Sequence, residues 1–134
     1  MKLTLLTKRS VLAVFLLAFG VSAFAYEGNL KRGRLYYRYI CTDCHKATLG
    51  EPIPPNGRTK AEWLAYLKAD KHDKSGKSNG SVKYFISKAY RETIKDKNKA
   101  AARVLNDSDA ELFADVQAWV QYSAKDSDNP SGCQ

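Results

Sequence analysis

Residues 41–45 read Cys41-Thr42-Asp43-Cys44-His45, and this short stretch holds half of the chain's Cys, His and Met side chains. Outside it stand only Cys133, His72 and Met1. Two thiols three residues apart with an adjoining imidazole suit three chemistries. A dithiol redox pair uses the same spacing but belongs in a βαβ setting. A zinc site needs four donors, and only His72 and Cys133 remain to complete one. The third chemistry is covalent haem attachment: each thiol adds to a vinyl group as a thioether, and the imidazole becomes the proximal iron ligand. Residues three and four apart share one side of a helix, so Cys41, Cys44 and His45 can face a macrocycle together. The residues favour this third reading, which implies one covalent haem c.

The elements that must position these groups are helical. Strand patterns are few, and four amphipathic helices are expected. The first runs from about Asn29 to Ile40, with Gly33, Tyr36, Tyr37 and Ile40 on one face. The second opens at the capping box Thr59-Lys60-Ala61-Glu62 and turns Trp63, Leu64 and Leu67 inward. The third follows Ser81 and buries Val82, Phe85, Ile86, Ala89 and Tyr90. The fourth starts at a second capping box, Ser108-Asp109-Ala110-Glu111, and aligns Leu112, Val116, Trp119 and Val120. Residues 50–57, rich in Gly and Pro, and residues 71–80, charged and rich in Gly and Ser, read as loops. The fold class is therefore all-α. Short helices and long loops make a small core, which a bulky apolar ligand would complete.

Residues 1–25 read as a cleaved export signal: Lys2, Lys8 and Arg9 precede an apolar run, and Ala23-Phe24-Ala25 suits a signal peptidase. The run is short for a membrane span, so no stable span is expected after processing. Residues 26–125 then form one domain, and residues 126–134 a flexible acidic tail. Residues 26–103 carry 18 basic and 8 acidic side chains, whereas residues 104–134 carry Lys125 against six acids. An exported chain has no nucleic acid to meet, so the basic body suits an acidic protein partner. Lys46, Lys71, Lys74 and Lys77 are the candidates for guiding that encounter.

With this motif in an exported all-α chain, the sequence resembles the monohaem class I cytochromes c. Those proteins carry Gly-x-x-x-aromatic ahead of the attachment motif, which stands here as Gly33-Arg34-Leu35-Tyr36-Tyr37. The resemblance implies that the last helix crosses the first at Gly33, with Trp119 packing at the junction beside Tyr37. It also implies that a carbonyl of the proline loop orients the proximal imidazole, with Pro52, Pro54 and Pro55 as candidates. Trp63 is expected in the haem pocket. The resemblance covers the two ends of the domain and fits residues 50–105 less well.

One departure from the family governs the functional reading. Most of its members place a methionine sulfur on the distal face, but the single methionine here is Met1, within the expected signal. His72 is the remaining imidazole and is the expected distal ligand. A bis-histidine iron has a lower potential than a methionine-ligated one and leaves no place for substrate. The expectation is a periplasmic or otherwise exported electron carrier, not an enzyme, serving a redox partner protein. The alternatives are a haem protein with an open or displaceable distal site, and the haem subunit of a larger oxidoreductase complex. Cys133 reads as a free or intermolecularly paired thiol.

Overall fold

The computed structural model describes residues 26–72 and 80–132. The expected signal, Lys74, Lys77 and Cys133 lie outside the described residues. Within them the chain is all-α, as the periodicity predicts. No helix among the described residues is long and apolar enough to cross a membrane.

The first helical column is longer than the sequence suggests. It comprises α1 (Leu30–Tyr36), a π-helical stretch (Tyr37–Thr42) and α2 (Asp43–Leu49), and ends at Gly50 in the left-handed conformation (φ 77°). Asn29 caps its start by accepting from the Arg32 N–H at 3.0 Å. A single turn at Pro55–Gly57 precedes α3 (Lys60–Ala69). There the capping box forms: the Thr59 hydroxyl accepts from Glu62 N–H at 3.2 Å, and the Glu62 carboxylate accepts from Thr59 N–H at 2.7 Å. Trp63 and Leu67 are buried as expected, but Leu64 faces outward and is exposed.

The expected third helix is two. Ser87 closes α4 (Val82–Ile86) and caps α5 (Lys88–Ile94), its hydroxyl accepting from the Tyr90 N–H. The break rotates Ala89 to the surface, while Val82 and Ile86 stay buried and Phe85 and Tyr90 half-buried. A short α6 (Lys99–Arg103), capped by Asn98, precedes α7 (Asp109–Tyr122). The second expected capping box does not form, because the Ser108 side chain makes no cap bond. Asp109 is drawn instead toward α5, accepting from Lys88 N–H at 2.7 Å and pairing with Arg91 at 3.0 Å.

The first and last helices form the most extensive pair, α1 lying against α7. Gly33 sits at their crossing: a Cβ there would overlap the Asp115 carbonyl oxygen and lie 2.9 Å from the Trp119 Cβ. Beside it the fully buried Asp115 carboxylate accepts from Asn29 N–H at 2.5 Å, Tyr26 O–H at 2.6 Å and the Arg32 guanidinium. Three donors offset the desolvation of a charge that would otherwise be costly to bury. Arg91, also fully buried, donates to the carbonyls of Ile86, Leu105 and Asp107 and so joins α5 to the turn before α7.

The segment after Lys125, read as a loose tail, runs back over the domain as far as residue 132. Lys125 N–H donates to Arg58 O at 2.9 Å, and Asp126 accepts from Lys60 N–H at 2.7 Å. Ser131 donates to Ser123 O and accepts from Asn56 N–H, each at 3.2 Å.

Replacing Gly33 by Val should destabilise the domain by about 1–3 kcal/mol, since the neighbours to be moved include backbone. Denaturant unfolding of the two proteins checks this; equal midpoints would mean that the helices do not close on Gly33 in solution.

Candidate functional site

A largely apolar cleft with about 1000 Å³ of empty space, part of it open to solvent, lies between the first helical column and α3–α5. Cys41, Cys44 and His45 contribute one part of its lining, with Ile40 and Thr42. Leu67, Val82, Phe85, Ile86, Val116 and Val120 supply apolar lining from the other helices. Ile53 represents the proline loop.

The residues of the sequence motif are thus brought together, and His72 joins them. The His45 and His72 ring centres are 5.5 Å apart, with the rings inclined by 72°. That is an edge-to-face ring contact, and with metal–nitrogen bonds of about 2 Å and each ring centre about 1 Å behind its nitrogen, two imidazoles sharing one metal would have centres about 5 to 6 Å apart. The observed separation lies within that range. His45 is buried in α2, and His72 packs its ring on Phe85 at 4.8 Å.

His72 is held through its backbone. Its N–H donates to the Gly80 carbonyl at 2.7 Å, joining the two ends of residues 72–80. Two residues earlier, Asp70 ends α3 in the left-handed region (φ 53°) and accepts from Lys83 N–H at 2.9 Å and Ser81 O–H at 2.8 Å. One carboxylate therefore ties the end of α3 to the start of α4, with His72 between them. Sequence reasoning missed Asp70, because an Asp among lysines reads as solvated surface. Partial burial opposes its ionisation, but bonds from Lys83 N–H and Ser81 O–H hold its pKa below the ordinary carboxylate value.

The remaining predicted residues act around the cleft rather than uniformly in it. Trp63 lines it and donates its indole N–H to Pro55 O at 2.6 Å. Tyr37 also lines it, donates to Ile53 O at 2.7 Å and meets Trp63 edge-on at 6.1 Å. These two bonds pull the proline loop under the cleft. Pro52 and Pro54 are not among the lining residues, and the Pro55 carbonyl is engaged by Trp63. Gly33 and Trp119 belong to the helix crossing outside the cleft.

Two further features define the chemistry. Burial, then the neighbouring Cys44, pushes the Cys41 thiol up to about 12, so it stays protonated near neutral pH. An oxidoreductase dithiol needs the opposite shift. Arg58 is the one Lys, Arg, Asp or Glu among the described lining residues, its guanidinium lying over Tyr66 at 4.9 Å and Trp63 at 5.6 Å. Among the described residues, no three His, Cys, Asp or Glu side chains are grouped to hold a metal ion unaided. No family model, curated protein or solved structure matches the chain.

Asp70→Ala should cost about 1 kcal/mol of stability through loss of the α4 cap, with Asp70→Asn milder. The sign of its pH dependence follows from the lowered pKa. The ionised form stabilises the fold above the unfolded value of about 3.9 and loses that contribution as pH falls through the folded pKa. The stability gap between wild type and Asp70→Asn should therefore narrow on acidification; a gap constant with pH would show that the carboxylate charge does not matter.

Proposed function

We propose that the protein is an exported monohaem c-type cytochrome that carries single electrons, with His45 as proximal and His72 as distal ligand. The observation that carries this reading is the meeting, in one apolar cleft, of two cysteines and two imidazoles whose ring centres lie 5.5 Å apart. A zinc site would gather its donors around one ion and leave no need for so large an apolar space. A redox dithiol would not need the histidines, nor a thiol as strongly protonated as Cys41. The residues fit a covalent haem: thiols for thioethers, imidazoles for the iron, and an apolar lining for the macrocycle.

When bound, the haem supplies a one-electron ferric–ferrous couple. The chain's own part is to hold, orient and dry it. Cys41 and Cys44 would anchor the ring by covalent bonds. Ile40, Leu67, Val116 and Val120 keep water from the lining they form. Asp70 and the His72–Gly80 bond set the position of the distal imidazole. Two imidazole ligands leave no coordination place for substrate, which favours electron transfer without bond formation. Imidazole in place of a thioether also keeps the potential low.

The purified protein should retain its haem through acid–organic extraction, and its mass should exceed that of the polypeptide by one haem. Extractable haem, or the bare polypeptide mass, would refute covalent attachment.

Ligation is tested at His72. His72→Ala should open the distal position, giving a high-spin or water-bound iron that takes carbon monoxide quickly. His72→Met should raise the reduction potential and introduce a sulfur-to-iron charge-transfer band. If His72→Ala changes neither spin state nor carbon monoxide binding, the iron is not bis-histidine and the open-site alternative replaces it.

A further inference from the structure

A second cavity lies on the other side of the helical column from the cleft. Its lining includes Arg34, Arg38, Tyr39, Lys46 and Trp119, and it shares Tyr37 and Thr42 with the cleft. The π-helical stretch is thus the partition between the two spaces. Unlike the cleft, this groove is mainly polar, and three of its side chains are cationic against one acid, Asp43.

The cations are arranged without acidic partners of their own. Arg34 lies over the Trp119 ring at 5.6 Å and Arg38 over the Tyr39 ring at 5.3 Å. Neither arginine nor Lys46 is in any ion pair found among the described residues. A guanidinium resting on an aromatic face keeps its N–H edge free, and that planar fork matches a carboxylate. Two such forks one helical turn apart repel each other until an anion joins them. Trp119 is itself fixed by the crossing at Gly33, so part of the groove is preorganised.

From this we propose that the groove is the docking site for a carboxylate-rich segment of a partner protein, received by Arg34, Arg38 and Lys46. The charge of the groove selects the partner. The shared lining selects the place, because Tyr37 and Thr42 border both the groove and the cleft. That makes the column's back, rather than the cleft mouth, the contact face. The redox meaning of the contact rests on the haem reading; the binding itself does not.

The test uses hexaglutamate as a probe of the purified protein, followed by backbone amide and indole chemical shifts. Shifts should concentrate on Arg34, Arg38, Tyr39, Lys46 and Trp119, and added salt should weaken binding. Arg34→Glu/Arg38→Glu should lower affinity by at least about tenfold. Lys68→Glu/Lys88→Glu makes the same change in net charge at exposed positions outside both cavities and should have a much smaller effect. Arg34→Gln/Arg38→Gln, which adds no new charge, should fall between and serves if the reversed variant does not fold. Equal losses in the two charge-reversed proteins would reduce the effect to overall charge and overturn the proposal. So would shifts centred near Lys71, no binding by wild type, or concentration-dependent association of the protein with itself through the groove. Because the readout does not involve iron, its failure is distinct from loss of the His72 ligation.

Discussion

The close crossing of α1 and α7 is the constraint on which the rest of the structure depends. It needs a residue without a Cβ at Gly33, and it needs the charge beside that contact to be neutralised. Asp115 meets the second need by drawing in Asn29, Arg32 and Tyr26, so the N-terminal cap, the first turn and the residues before it are fixed by one carboxylate. Arg32 extends the same tie outward to Asp107 and Glu111. With α1 fixed on α7, Tyr36 and Ile40 are committed to the core beside Leu112, Val116 and Val120. The direction in which residues 41–45 leave that core is then no longer free.

Against this rigid half stands a second half organised around empty space. Helices α3, α4 and α5 are short, and their apolar side chains face the cleft as much as each other. A cleft lined by so many apolar side chains leaves them without the contacts a closed core would give them. The proposed haem would supply those contacts and so complete the core. On that view the polar ties at the edges of this half share one task. The Asp70 clamp, the Trp63–Pro55 bond and the Tyr37–Ile53 bond each hold a loop where apolar packing alone would not.

What the sequence made legible follows from how local each signal is. The helix start near Asn29, the capping box at Thr59 and the need for glycine at position 33 depend on types and short spacings. All of them appear where expected. Residues whose roles are set by distant partners were harder to read. Asp115 and Arg91 look like surface charges until the helices that bury them are assembled. The Ser108 box was a valid local pattern displaced by a tertiary one, in which Asp109 turns to Lys88 and Arg91. Leu64 and Ala89 fit a helical period but fell on the wrong side, Ala89 because Ser87 interrupts the helix.

The π-helical stretch explains the remaining difference and links the two halves. In an α-helix each residue advances the face by about 100°, so one additional residue in a turn rotates everything after it by that amount. Tyr37–Thr42 holds its residues in the wider π turn, between the part of the column that packs on α7 and the part that carries Cys44 and His45. A regular α-helix could not keep both phases at once. With Gly33 and Tyr36 set against α7, it would turn Cys44 and His45 by about 100° from their present direction. The irregular turn lets one continuous column serve two faces, and it does so at the residues that separate the cleft from the basic groove. The sequence alone suggested an end near Ile40. In the folded protein the period changes phase instead, and the helix continues with Cys44 and His45 turned into the cleft.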